Sequence, residues 1–100
     1  PATSFDCSGF TQWCFGKAGL SLPRTAQAQY NASSHLSLAD AKAGDLVFFH
    51  STYSTSDYVT HVGIYLGNNK MFHAGSPIGY ADLSNSYWQA HLIGAGRVTN

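Results

Sequence analysis

The chain contains no glutamate. Chemistry that rests on paired carboxylates must then come from five dispersed Asp residues, which argues against a glycosidase built on two acids. Charge of either sign is scarce. Five Lys and Arg balance five Asp, for a formal net charge of zero. The basic residues Lys17, Arg24, Lys42, Lys70 and Arg97 are scattered and form no patch. Nucleic-acid binding needs clustered cations, so no nucleic-acid partner is expected. No apolar run approaches the roughly 18 residues of a membrane-spanning helix, and no signal peptide is legible. Cysteine is limited to Cys7 and Cys14, too few to indicate a redox compartment. On one helix that separation corresponds to about 10.5 Å. A disulfide spans at most about 7 Å between Cα atoms, so two separate thiols are expected.

Apolar residues are plentiful. They make up 44% of the 100 positions, and 14% of the chain is aromatic. That supports one domain over residues 1–100 with a single core. The chain begins at Pro1 rather than Met, which suggests a mature fragment or a domain taken from a longer protein.

Residues 6–18 carry Phe10, Trp13, Cys14 and Ala18 at helical spacing, with Asp6 suited to the N-cap and Gly19 to the C-terminal stop. The stretch 22–32 suggests a second short helix begun after Pro23, with Thr25 as its cap. A Ser-rich segment follows. Ala43-Gly44-Asp45 reads as a turn into a strand at 46–50. A polar loop at 51–60 leads to HVGIYLG at 61–67 and KMFHAG at 70–75, joined at Asn68-Asn69 as a β-hairpin. A loop with Pro77 and Gly79 comes next. Residues 84–91 read as a short helical turn, and 92–98 as a last strand. Helices that precede mostly antiparallel strands indicate an α+β fold.

Cys7 falls at the start of the first helix. A thiol there meets unsatisfied N–H groups and the positive end of the helix dipole, which lowers a cysteine pKa. The competing reading is a small buried hydrophobe. The Cys7 amide is a natural oxyanion donor. Cys14, two turns on among apolar neighbours, reads as buried. Of the five histidines, His35 and His91 read as structural. His61 and His73, on neighbouring strands, form with Cys7 a nucleophile, base and orienting residue. His50 is the competing base.

Strand register decides whether the two rings can meet. A two-residue turn at Asn68-Asn69 sets Gly67 opposite Lys70. His73 then faces Ile64, and His61 lies on the other side of the sheet. A three-residue loop sets Leu66 opposite Lys70. His73 then faces Gly63, with His61 its diagonal neighbour on the same side. The triad therefore requires an odd loop or a bulge.

FDCSGF at 5–10, LPRTAQAQ at 22–29, GDLVFF at 44–49, HVGIYLG at 61–67 and FHAG at 72–75 resemble, in order, the NlpC-type cysteine peptidases of bacterial cell walls. The resemblance covers essentially the whole chain. It implies a reduced papain-like fold with the nucleophile helix packed on the sheet. It implies hydrolysis of peptidoglycan stem peptides between γ-D-glutamate and the following diamino acid, through a Cys thioester and without cofactor or metal. By it, Cys7 is the nucleophile, His61 the base and His73 the third polar residue. Asp6 and Ser8 match positions that bind the stem peptide, although Asp6 has its own role as N-cap. Arg24 and Asp45 match family positions and read as structural. The family's aromatic and glycine-rich stretch before the nucleophile is missing, since only PATSF precedes Asp6. The resemblance then implies a domain without its N-terminal segment, or a substitute for the absent tyrosine. It also implies a secreted or wall-associated location within a larger multidomain hydrolase. The alternatives are an amidase cutting between sugar and L-alanine, an acyltransferase, a silent wall-binding module, or a zinc site on Cys7, His61 and His73.

Overall fold

The computed structural model describes residues 6–53, 55–74 and 78–98. Helix α1 spans Cys7–Lys17 and α2 spans Ala26–Ala32. Strand β1 (Ser34–Leu36) and a 3-10 turn at Leu38–Asp40 follow. Then come β2 (Leu46–Phe49), β3 (His61–Gly67), β4 (Lys70–Ala74) and β5 (Ile78–Asp82). The short helix α3 (Ser86–His91) runs directly into β6 (Leu92–Arg97). The six strands form one antiparallel sheet in the order β1-β6-β2-β3-β4-β5. This is the α+β class expected. Two strands escaped the sequence reading, as did the 3-10 turn. The Ser-rich segment supplies the edge strand β1, and the chain after the hairpin supplies the other edge, β5. Both are edge strands, half-covered and poor in apolar alternation, so periodicity misses them. Gly75 and Pro77, read as hairpin end and loop, lie outside the described residues.

Strand β2 explains how the layers assemble. All four of its residues are buried, because the sheet is covered on both sides. Leu46 and Phe48 join Phe15, Leu22, Ala26, Val59 and Val62 under the helices. Val47 and Phe49 join Tyr65, Met71, Leu83 and Ala95 on the opposite face, where Trp88 of α3 packs.

Local chemistry ends each helix where the sequence suggests. The Asp6 carboxylate accepts from the Gly9 amide at 2.7 Å and caps α1. Gly19 takes φ +85°. The Gly19 amide donates to the Gly16 carbonyl and the Leu20 amide to the Phe15 carbonyl, closing the C-terminus in a Schellman motif. The Thr25 hydroxyl caps α2 by accepting from the Ala28 amide at 3.1 Å.

The face of α1 that turns inward differs from expectation. Ser8, Phe10, Thr11 and Phe15 are buried, whereas Trp13 remains 38% exposed with Lys17 over its ring. Ser8 and Thr11 can be buried because Gln29 of α2 satisfies them. Its side chain is fully enclosed, at 0% exposure. Its Nε2 donates to the Ser8 and Pro23 carbonyls, both at 2.9 Å. Its Oε1 accepts from the Thr11 hydroxyl at 2.7 Å. These bonds tie α2 to the first turn of α1, beside Cys7. Replacing Gln29 by Leu leaves the half-buried Pro23 carbonyl without its donor and removes one bond each from the Ser8 carbonyl and the Thr11 hydroxyl, which keep only each other, at a cost of about 2 kcal/mol. Thermal unfolding of Gln29→Leu is expected roughly 10 °C below the unsubstituted chain.

Candidate active site

The hairpin β3–β4 brings His61 and His73 together. Asn68 and Asn69 form a two-residue turn with φ +52° and +65°, both left-handed as a type I′ turn requires. Alone, that turn would place the two rings on opposite faces. The register instead shifts between Tyr65 and Gly67: Gly67 pairs with Lys70, but Tyr65 pairs with Met71 and Ile64 with Phe72. Leu66 is the extra residue of a β-bulge and points to solvent at 39% exposure. Beyond the bulge the strands hold the odd register that the triad needs. His61 Nε2 and His73 Nδ1 lie 2.9 Å apart, with the rings nearly perpendicular. Gly63 makes room. A Cβ there would sit 2.8 Å from Met71 Sδ and 3.2 Å from His73 Cβ.

Cys7 occupies N1 of α1, and its side chain lies against the backbone on either side of His61. The thiol points to the Thr60 carbonyl oxygen at 3.9 Å. The Val62, Ser8 and Cys7 amides favour its ionised form. Burial is nonetheless the largest influence, and the nearby Asp6 charge adds to it, so the Cys7 thiol is pushed above its ordinary value. This corrects the expectation of a lowered pKa. The helix start supplies N–H groups, but the packing of α1 on β3 removes more water than those groups replace. Both cysteines are free and half-buried, and burial raises the Cys14 thiol as well.

His61 is shifted in the opposite direction. Burial, and the adjacent His73, lower it to about 4. Burial also lowers His73. Near neutrality both rings are uncharged. With Nε2 engaged by His73, no hydrogen bond among the described residues occupies His61 Nδ1.

Trp88 covers this pair and was missed by the sequence reading. Its ring stacks on His61 at 5.5 Å and 22°, meets His73 edge-on at 5.2 Å, and rests on Phe49 at 4.9 Å. Nothing local in SNSYWQAH points to it, because the contact depends on how α3 returns over the sheet. His50, the competing base, bonds Ser51 Oγ at 3.0 Å and stacks on Tyr58, with no imidazole or acid holding it. Among the described residues, no three His, Cys, Asp or Glu side chains gather as metal ligands do.

Asp6 and Ser8 flank the thiol in a cleft of about 510 Å³. Arg24, read as structural, is part of the same cleft. Its Nη2 lies 2.9 Å from Asp6 Oδ2, and its Nη1 donates to Ser8 Oγ at 3.0 Å. The Arg24 guanidinium holds the Asp6 carboxyl below its usual range. Asp45 has a structural place: Arg97 grips it through two hydrogen bonds of 3.0 and 2.8 Å, and the Lys42 amide adds a third.

Comparison with known proteins sets this geometry in context. The model of the NlpC/P60 family matches residues 1–97. The chain is 54% identical over 99 residues to the bifunctional muramidase/DL-endopeptidase CwlT of Bacillus subtilis, covering 98% of this chain and 30% of that protein. It is 48% identical over 97 residues to a probable endopeptidase p60 of Listeria welshimeri, covering 96% of this chain and 18% of that protein. A crystal structure of a lipoprotein-like NLP/P60 family protein from Staphylococcus aureus superposes with a TM-score of 0.95 at 62% identity, covering all of this chain and 34% of that one. The chain thus spans about a third or less of the proteins it matches.

The His61 shift makes stability depend on pH. The unfolded chain takes up this proton near the ordinary pKa of 6.5, the folded chain only near 4, so acid favours unfolding between those values. The loss is expected to reach roughly 3 kcal/mol by the lower limit. Urea unfolding at steps from pH 7 to 4 measures it, and His61→Gln should flatten the dependence.

Proposed function

The chain belongs to the NlpC/P60 family, and from that premise we propose that it is a cysteine endopeptidase that hydrolyses peptidoglycan stem peptides. The bond assigned is the one between γ-D-glutamate and the diamino acid. One observation carries the reading. A thiol at a helix start lies against the backbone of the residues flanking His61, whose ring is held at 2.9 Å by a second imidazole. Endopeptidase is the activity that the names of the Bacillus and Listeria relatives share, and the resemblance of the motifs implies the same chemistry. The domain, residues 1–100, works as part of a larger extracytoplasmic wall hydrolase in this reading. Among the described residues no helix is long and apolar enough to cross a membrane.

The pKa directions shape the mechanism. A raised thiol and a lowered imidazole both rest neutral, so in this reading the thiolate forms only as substrate arrives. His61 Nδ1 takes the Cys7 proton while Sγ attacks the γ-carbonyl carbon. For Nδ1 to accept, Nε2 must carry a hydrogen and donate it to His73 Nδ1. This sets the His73 tautomer as well, with its hydrogen on Nε2. The negative oxygen of the tetrahedral intermediate faces the amides at the start of α1. The Gly9 amide is already used by the Asp6 cap, which leaves the Cys7 and Ser8 amides as the donors beside the sulfur. His61 then returns its proton to the leaving amine, and a thioester remains. Water, deprotonated by Nδ1, attacks the thioester and regenerates the thiol. No step needs a cofactor. Trp88 excludes water from the far side of the His61 ring and limits its rotation.

Cys7→Ala should leave the thermal unfolding curve intact and lower cleavage of a γ-D-glutamyl-diamino acid peptide by at least about a thousandfold. Full turnover by that variant would end the proposal. His73→Ala should lower kcat about a hundredfold, with His73→Gln recovering part of the loss through its side-chain acceptor. Mass spectrometry of digested peptidoglycan identifies the bond. New L-alanine amino termini would instead indicate an amidase.

A further inference from the structure

The 51–60 loop forms one wall of the cleft beside Cys7, with Tyr53, Val59 and Thr60 among the lining residues. Its two halves are held differently. The end of the loop is anchored. Val59 is buried in the core under the helices, and its amide donates to Gln27 Oε1 at 2.9 Å. The Thr60 amide donates to the Phe49 carbonyl at 2.9 Å, next to the last paired residues of β2 and β3.

The first half lacks such support. Ser51 takes φ +59°, a left-handed conformation that residues other than glycine adopt uncommonly and keep only where the surroundings enforce it. Among the described residues, the hydrogen bonds that tie residues 52–57 to the rest of the molecule all end on one atom, Thr60 Oγ1. That hydroxyl belongs to a buried side chain. It accepts from the Thr52 amide at 3.0 Å and shares a hydrogen bond of 2.6 Å with the Thr52 hydroxyl. The start of the loop is thereby fastened to its end.

Thr60 meets the thiol through a different atom. Its carbonyl oxygen, not its hydroxyl, lies 3.9 Å from Cys7 Sγ. Strand pairing holds the backbone there whether or not the hydroxyl is present. The side chain of Thr60 therefore governs the loop, and its backbone the contact with sulfur.

We propose that the Thr60 hydroxyl is a positioning group for substrate: it keeps the first half of the loop in place as a preformed wall, so that a peptide binds without having to order it. The proposal rests on the endopeptidase reading for the choice of peptide. Thr60 acts here through Thr52. Where only a fraction of the molecules has the wall in place, apparent affinity falls by that fraction, while the bound complex reacts as before. Loss of the hydroxyl should then raise KM and spare kcat.

Two substitutions in the full chain separate hydroxyl from shape. Thr60→Val removes the hydroxyl at nearly constant volume, and Thr60→Ser retains it. With L-alanyl-γ-D-glutamyl-L-lysyl-D-alanine as substrate, Thr60→Val is expected to raise KM roughly tenfold with kcat held within about twofold, and Thr60→Ser to recover most of the loss. Calorimetric titration of the same peptide into chains that also carry Cys7→Ala should show the same loss of affinity. Chymotrypsin reads the wall without any peptide. Tyr53 and Tyr58 are exposed, and nicking after them should be faster in Thr60→Val than in Thr60→Ser or the unsubstituted chain. Should Thr60→Val fail to fold, Thr52→Val deletes the bond between the hydroxyls from the other side, keeps the amide bond, and should raise KM about threefold. The proposal is overturned by unchanged affinity or unchanged nicking in the hydroxyl-free chain, by a fall in kcat as large as the rise in KM, by failure of Thr60→Ser to rescue, or by a Cys7→Ala chain that does not bind the peptide. Peptide that binds but is not cleaved by the unsubstituted chain sinks the hydrolase reading instead, and the titrations still decide the role of Thr60.

Discussion

One surplus residue in strand β3 decides whether His61 and His73 meet. Side chains alternate across a strand, so a shift of one residue moves every later side chain to the other face. The Asn68-Asn69 turn by itself selects the pairing that separates His61 from His73. Leu66, bulged into solvent, restores the pairing that unites them. The other requirements of the site depend on that choice. Gly63 must lack a side chain because His73 lies beside it, and Trp88 can cover both rings only because they share a face. The bulge sits at the far end of β3 from His61, so a turn well away from the thiol sets the geometry of its partner.

A second imidazole takes the place a carboxylate holds in many triads. His73 can orient His61 but supplies no negative charge to stabilise a proton on it, and burial makes that proton costlier still. The thiol is raised where α1 packs on β3, and the imidazole is lowered where Trp88, Phe49 and His73 enclose it, so both groups sit in dry surroundings. In the proposed mechanism the charge separation is then concentrated in the encounter with substrate, where the oxyanion and the α1 amides can share it. Arg24 orders the cleft beside the thiol. It holds the Asp6 cap and Ser8 in place, so the first turn of α1 is organised before anything binds.

What the sequence could and could not convey follows from range. The α1 caps, the Asn turn and the buried run of β2 are local patterns, and each appears where residue chemistry placed it. The condition for the His61–His73 contact was also legible, as a demand for an odd loop or a bulge, because strand parity is strict. The rest is set by distant segments. Edge strands β1 and β5 lack the alternation of a half-buried strand. The inward face of α1 is polar at Ser8 and Thr11 because Gln29, across the helix pair, satisfies them. The thiol pKa was misjudged because a helix start was weighed without the sheet that covers it. Trp88 is a contact between segments that only the completed fold brings together.

The dry contact around Cys7 also bears on how long the sulfur survives. Oxidation to sulfenic acid proceeds through the thiolate, and so does adventitious coupling to small disulfides. A sulfur that burial keeps protonated offers peroxide little to attack. Cys14, two turns along the same helix and also raised by burial, shares that protection. A chain with two unbridged cysteines can thereby persist in an oxidising medium without the reductants that a permanently ionised thiol would require.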